Sequence, residues 1–286
     1  MSGLAEAPNG FDRGPEPTDC DLAKIARLVY EHSGIRLHEG KRALVTARLQ
    51  KRVRQGGFRS FREYTRWIEA DPTGVELTAL LDAITTNHTA LFREPQHFTY
   101  LRDIVLPPLA ARRTGAIAGW SAACATGEEP YSIAITLFES LGDAASSRVQ
   151  LLASDLSFKA LAVARAGIYR SGRLDDLPAD VQQRYFERGV GSRAGFMRAA
   201  PALRQAIDFR RHNLLDAPPP GLPFDFIFCR NVMIYFDQPA QQRVVSALER
   251  RLATGGYLFV SHAESLNGLT HSLTWTAPAV YRKGTR

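Results

Sequence analysis

The sequence predicts an α/β protein in two parts, a small helical domain followed by a larger domain built on a parallel sheet. Two observations support this prediction. Apolar residues recur every three or four positions between about residues 19 and 84, where no strand pattern occurs. From about residue 116, short apolar runs alternate with helical stretches, which is typical of βαβ units. A chain of 286 residues has room for one large domain or two unequal ones.

Four helices are predicted in the first part. The first includes Leu22–Val29 and is broken at Gly34, because glycine is a poor residue for a helix interior. The others are placed near residues 40–55, 60–70 and 74–85. The second helix is predicted to bury a stripe formed by Val45, Leu49 and Val53.

The positive charge of the chain is concentrated in this helical part. The formal net charge is +7, from 36 basic and 29 acidic residues. Between Asp21 and Arg66, twelve basic side chains stand against four acidic ones, so this segment carries +8 and the rest of the chain −1. On the second helix, Lys51 and Arg54 lie nearly opposite the apolar stripe and Arg48 lies on its flank. This concentration predicts either a surface for an acidic partner or a solvated helix face.

The second part is predicted to contain alternating strands and helices. The strands are placed at Ile117–Ala122, Val149–Ala153, Phe224–Phe228 and Tyr257–Ser261, and the helices at Tyr131–Leu141, Lys159–Ala166 and Gln238–Leu252. Strands that alternate with helices form parallel sheets, and such sheets bind ligands beyond the carboxyl ends of their strands. Functional residues are therefore expected at those ends.

Composition excludes several classes of protein. With 45% hydrophobic and 23% charged residues, the chain has ordinary globular usage. No uncharged apolar run approaches the roughly 18–20 residues that a membrane span needs, and the first twenty residues do not resemble a signal peptide. Residues 1–18, rich in Gly, Pro and small or acidic residues, are predicted to be a disordered lead-in. These features predict a cytoplasmic protein.

Two strand ends carry acidic residues. Glu128 and Glu129 follow the first strand, in a loop that lacks the glycines of phosphate-binding motifs. They suit hydroxyl groups or a cation, or they simply favour the dipole of the next helix. Asp155 ends the second strand, where an acid accepts hydrogen bonds from ribose hydroxyls or caps the following helix. Together, these residues favour a nucleoside without a pyrophosphate, and S-adenosylmethionine is the obvious cofactor of that kind.

Other polar residues fall into weaker patterns. Asn231 and Tyr235 follow the third strand and could contact a cofactor or substrate. The polar segment 84–95 is predicted, on turn chemistry alone, to be a capped linker. Cys124 and Cys229 are predicted to be small buried residues without a role. The seven histidines have no metal-ligand spacing, and surface or capping positions are predicted for them.

Taken together, four segments in order resemble the CheR family of chemotaxis receptor glutamate methyltransferases. The resemblance runs from about residue 20 to the C-terminus and favours a functional segment at 85–93 over a linker. The matching segments are TTNHTALFR (85–93), WSAACATGEEPYS (120–132), Asp155 with GIY (167–169), and CRNVMIYF (229–236). The likeness implies a small all-α domain and a doubly wound, Rossmann-like methyltransferase domain from residue 116. A linker and helix at 85–115 would join them and contribute to the cofactor site, and a small antiparallel β-subdomain would lie at about 184–211.

The resemblance also implies roles for individual residues. Arg93 and Tyr235 correspond to the catalytic region of the family. The residues implied for cofactor binding are Asn87, Thr89, Arg93, Glu129, Asp155, Asn213, Leu214, Asn231 and Val232. Asp155 would hold the ribose, and Asn213 and Leu214 would flank the adenine. His88 and Leu91 depart from the apolar or aromatic residues that the family often has at these positions.

The reaction implied by the resemblance is methyl transfer from S-adenosylmethionine to a glutamate carboxylate, which forms a methyl ester and S-adenosylhomocysteine. A glutamate with a pKa near 4.3 is already ionised at neutral pH, so neither a general base nor a metal is needed. The implied partners of a monomeric enzyme are the acidic methylation helices of chemoreceptors. Four basic residues are implied to dock them: Arg48, Lys51, Arg54 and Arg59. A receptor C-terminal peptide could add a strand to the β-subdomain.

Two alternatives stay open at the level of sequence. The basic segment suits a nucleic-acid methyltransferase, although the residues after the third strand are not the Asn/Asp-Pro-Pro-aromatic loop of enzymes that methylate a flipped base. A non-catalytic adaptor that senses S-adenosylmethionine is the other alternative. The presence of Asn87, Arg93, Asp155, Asn231 and Tyr235 argues against it.

Overall fold

The structure is a computed structural model that describes residues 15–37, 40, 42–112 and 115–284. Most of the predicted disordered lead-in therefore lies outside the described residues. The chain divides into two compact units, one ending at Ile84 and the other beginning at Thr85, with Ser33–Ile35 grouped with the second. Within the described part of the chain, no helix is both long and apolar enough to cross a membrane.

The first unit contains the four predicted helices. They are α1 (Asp19–Ser33), α2 (Arg42–Gln55), α3 (Phe61–Ala70) and α4 (Val75–Ile84). The predicted stripe of α2 is buried, which confirms the assignment of that face. Ser60 caps α3 by accepting a hydrogen bond from the Glu63 amide, while the Glu63 carboxylate accepts one from the Arg59 amide. A two-pronged ion pair between Arg52 and Glu76, at 2.6 Å for both contacts, joins α2 to α4.

The second unit is built on a seven-stranded sheet with the order β6-β2-β1-β7-β8-β10-β9. The first five strands in this order pair in parallel, and the last two pair antiparallel. The strands are β1 (Ile117–Ala122), β2 (Val149–Asp155), β6 (Ile207–Arg211), β7 (Phe224–Phe228), β8 (Leu252–Phe259), β9 (Thr274–Ala277) and β10 (Val280–Arg282). The four predicted strands are the central ones, β1, β2, β7 and β8.

Helices cover both faces of this sheet. The α-helices of this unit are α5 (Pro95–Tyr100), which a π-helical turn (Leu101–Val105) joins to α6 (Leu106–Ala110), then α7 (Glu128–Leu141), α8 (Ala145–Arg148), α9 (Phe158–Ala166), α10 (Ala179–Tyr185), α11 (Pro201–Gln205) and α12 (Gln238–Arg251). Side chains of a strand alternate between faces, and β7 shows this directly. Phe226 and Phe228 lie in one hydrophobic cluster with Phe98 of α5, while Ile227 lies in the other with Val244 of α12. This is the doubly wound arrangement that was predicted.

A separate three-stranded antiparallel sheet has the order β3-β5-β4. Its strands are β3 (Ile168–Arg170), β4 (Phe186–Arg188) and β5 (Phe196–Ala199). The predicted bounds of 184–211 were wrong at both ends. They omit β3, which has only three residues and therefore no readable alternation, and they include 207–211, which pairs with β2 in the main sheet. In the β4–β5 connection, a Cβ at Gly189 would lie 2.1 Å from the carbonyl oxygen of Arg193, so glycine is required there.

The predicted end of the main sheet also needs correction. The strand placed at 257–261 is β8, which begins at Leu252, immediately after α12. Gly255 and Gly256 interrupt the apolar pattern, so the first half of β8 does not look like a strand in the sequence. At Gly256 an added Cβ would lie 2.9 Å from the carbonyl oxygen of Asp225, so the neighbouring backbone requires glycine at this point.

Candidate functional site

Asp155 joins the loops that follow β1 and β2. Its Oδ2 accepts a hydrogen bond from the Ala125 amide at 2.8 Å, and its Oδ1 accepts one from the Ser157 amide at 2.9 Å. The loop after β1 is bent sharply, with positive φ at Ala123, Ala125 and Gly127. Ser157, rather than Asp155, caps α9. Each carboxylate oxygen has two lone pairs, so these two amides do not occupy every acceptor position of Asp155.

Glu129 lies at the start of α7 and is buried beside Arg230. Its Oε1 accepts a hydrogen bond from the Ser121 hydroxyl at 2.7 Å, and its Oε2 accepts one from the Arg230 guanidinium at 3.0 Å. Burial raises the pKa of Glu129, and the charge of Arg230 opposes this rise. Arg230 also donates to the Arg93 carbonyl at 2.5 Å and lies 3.2 Å from Glu94. It therefore connects β7, α7 and the segment before α5.

The segment 87–93 is held by contacts with its backbone. The Arg173 side chain donates to the Thr89 carbonyl at 2.9 Å, and the Phe92 amide donates to the Ser132 hydroxyl at 2.8 Å. Arg93 donates to the carbonyl of His88 at 3.0 Å. Asn87 and Arg93 are half-buried, whereas Thr89 is buried. These contacts place the three predicted cofactor residues of the segment in one ordered loop.

A single carboxylate organises the loop after β7. Glu264 accepts backbone hydrogen bonds from Asn231 at 3.0 Å, Val232 at 2.9 Å, Met233 at 2.7 Å and Ser261 at 2.8 Å. Asn231 has a φ of 57°, a left-handed conformation that asparagine tolerates better than most residues. Asn231, Val232 and Tyr235 are half-buried in this loop.

Asn213 and Leu214 follow β6 beside the end of β2. The His212 amide donates to the Asp155 carbonyl at 3.0 Å, which keeps the two strand ends together. Asn213 accepts a hydrogen bond from the Leu215 amide through its side-chain oxygen, at 3.1 Å. Leu214 is buried in the second hydrophobic cluster. The predicted cofactor residues of the second unit thus follow the carboxyl ends of β1, β2, β6 and β7 or lie in the segment before α5.

Two family models match the chain in sequence order. The model described as CheR methyltransferase, all-alpha domain, matches residues 21–85, and the model described as CheR methyltransferase, SAM binding domain, matches residues 87–280. The chain belongs to the CheR methyltransferase family. The predicted family, fold class and cofactor, S-adenosylmethionine, are confirmed.

Curated relatives of this CheR methyltransferase cover nearly the whole chain. The chemotaxis protein methyltransferases of Klebsiella aerogenes and Escherichia coli are each 42% identical over 92% of this chain, covering 89% and 91% of those proteins. That of Borreliella burgdorferi is 34% identical, over 96% of this chain and 98% of its own.

The donor set of this CheR methyltransferase fits S-adenosylmethionine. That cofactor carries positive charge on its sulfonium and ammonium groups and has ribose hydroxyls that need acceptors. Glu128, Glu129 and Asp155 are buried carboxylates at the strand ends. Glu128 accepts a hydrogen bond from the Thr126 hydroxyl at 2.6 Å, and burial raises the pKa of Glu128. A cationic ligand compensates part of the desolvation cost of such carboxylates.

Sequence reasoning missed three residues of this CheR site: Arg173, Arg230 and Glu264. Arg230 lies in the CRNVMIYF segment (229–236). A buried arginine can be recognised as functional only when its carboxylate partners are known. Arg173 and Glu264 lie outside the four segments that resemble the family. Arg173 contacts the distant Thr89 carbonyl and Glu128 carboxylate, and Glu264 accepts a hydrogen bond from the distant Val232 amide. No local pattern in the sequence signals such contacts.

The remaining predictions concern residues around the site or in the other unit. Cys124 and Cys229 are buried, as predicted, and burial raises the pKa of both thiols. The prediction of surface or capping positions was wrong for His97, which is 1% exposed, because it lies in the first turn of α5 against the sheet. His97 lies close to Glu94 and His262, and the three side chains could hold a metal ion.

The basic residues of the first unit differ in their freedom to bind a partner. Lys51, Arg54 and Arg59 are exposed. The Arg59 side chain lies 3.6 Å from Glu63. Arg48 is half-buried and donates to the Ile84 carbonyl at 2.8 Å, so its guanidinium is committed in part to the fold of the unit.

Proposed function

We propose that this CheR methyltransferase methylates glutamate side chains of chemoreceptors and forms glutamyl methyl esters. The observation that carries the proposal is the group of buried carboxylates after β1 and β2, with the half-buried Asn231 after β7, in a family named for methyl transfer. The relatives at 34–42% identity are named chemotaxis protein methyltransferases, which supports receptors as the substrate class.

We propose that Asp155 accepts hydrogen bonds from the ribose and that Asn213 and Leu214 flank the adenine. Leu214 offers an apolar surface next to the polar backbone of the strand end. The remaining residues would surround the methionine portion of the cofactor: Asn87, Thr89, Arg93, Glu129, Asn231 and Val232. When bound, S-adenosylmethionine supplies an electrophilic methyl group on its sulfonium.

The substrate glutamate needs orientation rather than activation. Its carboxylate is ionised at neutral pH, so the protein need not remove a proton. Arg93 and Tyr235 are proposed to orient the carboxylate oxygen towards the methyl group. The Arg93 guanidinium already donates to the His88 carbonyl, so its interaction with a carboxylate would be shared and moderate. Positioning of this kind supplies up to about 7–11 kcal/mol of barrier reduction. Exclusion of water adds to it, because a hydrated carboxylate is a weak nucleophile.

Receptor docking is proposed at two surfaces, one in each unit. The exposed Lys51, Arg54 and Arg59, with Arg48 beside them, would attract acidic methylation helices. Exposed ion pairs contribute only about 0–1 kcal/mol each, so the cluster acts mainly on association rate. In the small sheet, β4 is an edge strand that could pair with a receptor C-terminal peptide. We expect a cytoplasmic monomer.

The test uses methyl-labelled S-adenosylmethionine and membranes that carry chemoreceptors from the same source. Label released as methanol by mild alkali would establish a carboxyl methyl ester. Label that stays on protein would indicate N- or S-methylation, and label in added DNA or RNA would support the nucleic-acid alternative. Cofactor binding without any transfer would support an adaptor. An Asp155→Asn variant serves as the control for label that does not depend on the proposed cofactor site.

A further inference from the structure

Three side chains from separate segments converge near Arg230. Glu94 directly precedes α5, His97 lies in its first turn, and His262 follows β8. One ligand atom from each lies within 4.8 Å of the others. The Glu94 Oε2 is 3.0 Å from the His262 Nδ1 and 3.5 Å from the His97 Nδ1. Two imidazoles and one carboxylate are a recurrent zinc donor set.

His97 is an imidazole in an almost fully buried position. Its side chain is 1% exposed, and among the described residues neither ring nitrogen has a partner of hydrogen-bond geometry. The Pro278 carbonyl lies near the ring but does not meet that geometry. A buried polar group without a partner is costly, and an ion is one of the few things that explains it.

The spacing of the donor atoms is that of ligands around an ion. Zinc lies about 2.0–2.1 Å from nitrogen and oxygen ligands, which places two tetrahedral ligands about 3.3 Å apart. The distances of 3.0 and 3.5 Å from Glu94 bracket this value. The longer one is too long for a good hydrogen bond. Glu94 has φ 57° and ψ 69°, a strained conformation for a glutamate, and such strain is concentrated at functional sites.

The surrounding charge permits a cation despite Arg230. The guanidinium lies 3.2 Å from Glu94 and 3.0 Å from Glu129, so two carboxylates face one arginine and leave one negative charge in excess. Arg230 would act as the outer partner that orients the Glu94 carboxylate, as such partners do around bound metals. The His262 side chain is 43% exposed, which gives an ion and a water ligand access from solvent.

We propose that Glu94, His97 and His262 bind a zinc-class divalent cation that joins the start of α5 to the segment after β8. Glu94 is adjacent to Arg93, so the ion would stabilise the backbone that carries this proposed catalytic residue. The methyl transfer proposed above needs no metal, and the role of the ion is structural.

The test is metal binding by the untagged full-length protein, stripped with a chelator and free of cofactor. Isothermal titration calorimetry with Zn²⁺ should give about one equivalent, and Co²⁺ should give the visible absorption of a tetrahedral site without thiolate charge transfer. Saturating Zn²⁺ should raise the melting temperature, because a ligand that binds only the folded state stabilises it. No saturable binding at millimolar Zn²⁺ would overturn the proposal.

Two variants and one control assign the ligands. His262→Ala truncates a partly exposed side chain and should weaken Zn²⁺ binding by about 100-fold or more, since even outer partners of a metal are worth about 10–100-fold. His97→Phe fills the space beside Phe228 and Phe259 and should have the same effect. His32→Ala, an exposed histidine on α1, should bind like the unaltered protein. Unchanged affinity in His262→Ala would refute this assignment. Neither result depends on the proposed methyl transfer.

Discussion

The Glu264 carboxylate accepts a hydrogen bond from the backbone amide of Val232 at 2.9 Å, and this contact connects the segment after β8 to a residue proposed to line the cofactor pocket. The same carboxylate accepts the amides of Asn231, Met233 and Ser261. This loop contains only one turn of 3-10 helix, Met233–Tyr235, so few internal contacts hold its shape. One half-buried anion therefore holds the backbone of Asn231, Val232 and Met233, while the Gln241 side chain donates to the carbonyls of Met233 and Phe236 on either side of Tyr235.

Glu264→Gln should weaken S-adenosylmethionine binding by about tenfold or more and lower the free energy of unfolding by about 2–3 kcal/mol. The glutamine has the same size, but one acceptor oxygen becomes a donor that faces backbone amides. Calorimetry and urea denaturation measure the two effects. Glu249→Gln is the matched control, since Glu249 also accepts an amide, that of Ser272, but in an exposed hydrogen bond. Equal cofactor affinity in both variants would contradict a positioning role for Glu264.

Asp155→Asn should lower the affinity for S-adenosylmethionine by about 10–100-fold, because hydrogen bonds to a charged group contribute about 1.5–3 kcal/mol. The variant retains one acceptor oxygen for the amides of Ala125 and Ser157, so the loop after β1 is also weakened. Asp208→Asn, at an exposed position of β6, is the control and should bind normally. The measurement is calorimetric titration of each variant, and an affinity within about twofold of the unaltered protein would remove Asp155 from the ribose site.

Arg93→Ala should reduce turnover far more than it weakens cofactor binding, since Arg93 is proposed to orient the substrate carboxylate. Tyr235→Phe should show the same separation with a smaller loss. The measurement compares kcat for receptor methylation with the dissociation constant of the cofactor for each variant. Unchanged turnover in Arg93→Ala would exclude this residue from the mechanism.

The double variant Lys51→Glu with Arg54→Glu should slow association with receptor membranes and leave cofactor affinity unchanged. The effect should be largest at low salt and shrink as the Debye length falls to about 8 Å near physiological ionic strength. Association rates at two salt concentrations test this. The double variant Lys159→Glu with Arg250→Glu, at exposed positions of α9 and α12, makes the same change in net charge and is the control. If both variants slow association equally, the effect reflects net charge and not the α2 surface.

The buried Glu128 should make stability depend on pH. Burial raises its pKa in the folded state, so the folded protein holds this proton more tightly than the unfolded chain. Glu128 therefore contributes most to the free energy of unfolding at pH values below its pKa in the unfolded chain. This contribution is lost as the pH rises through its pKa in the folded protein. Glu128→Gln removes this dependence. The stability difference between the variant and the unaltered protein should shift in favour of the variant from about pH 4 to about pH 7, measured by urea denaturation. A difference that is constant over this range would contradict the prediction.

Much of the fold could be predicted from local patterns, because a helix or strand that buries one face has apolar residues at regular intervals in the sequence. The α2 stripe and the central strands β1 and β7 were placed within a residue or two, since each element packs one or both faces in a core. β6, β9 and β10 were missed. They are short strands at or near the sheet edges, where few apolar side chains are required. In β9, for example, Trp275 is exposed.

The sequence by itself determined the order of elements, the central sheet and, through the family motifs, the candidate residues at the strand ends. Only the tertiary structure decided which side chains meet. Arg230 and Glu129 are 101 positions apart, and Glu94 and His262 are 168 apart. Such contacts leave no periodic signal, because they depend on how the strands are ordered in the sheet and not on neighbouring residues. For this reason, the contacts of Glu264, Arg230 and the His97–His262 pair could be recognised only in the three-dimensional structure.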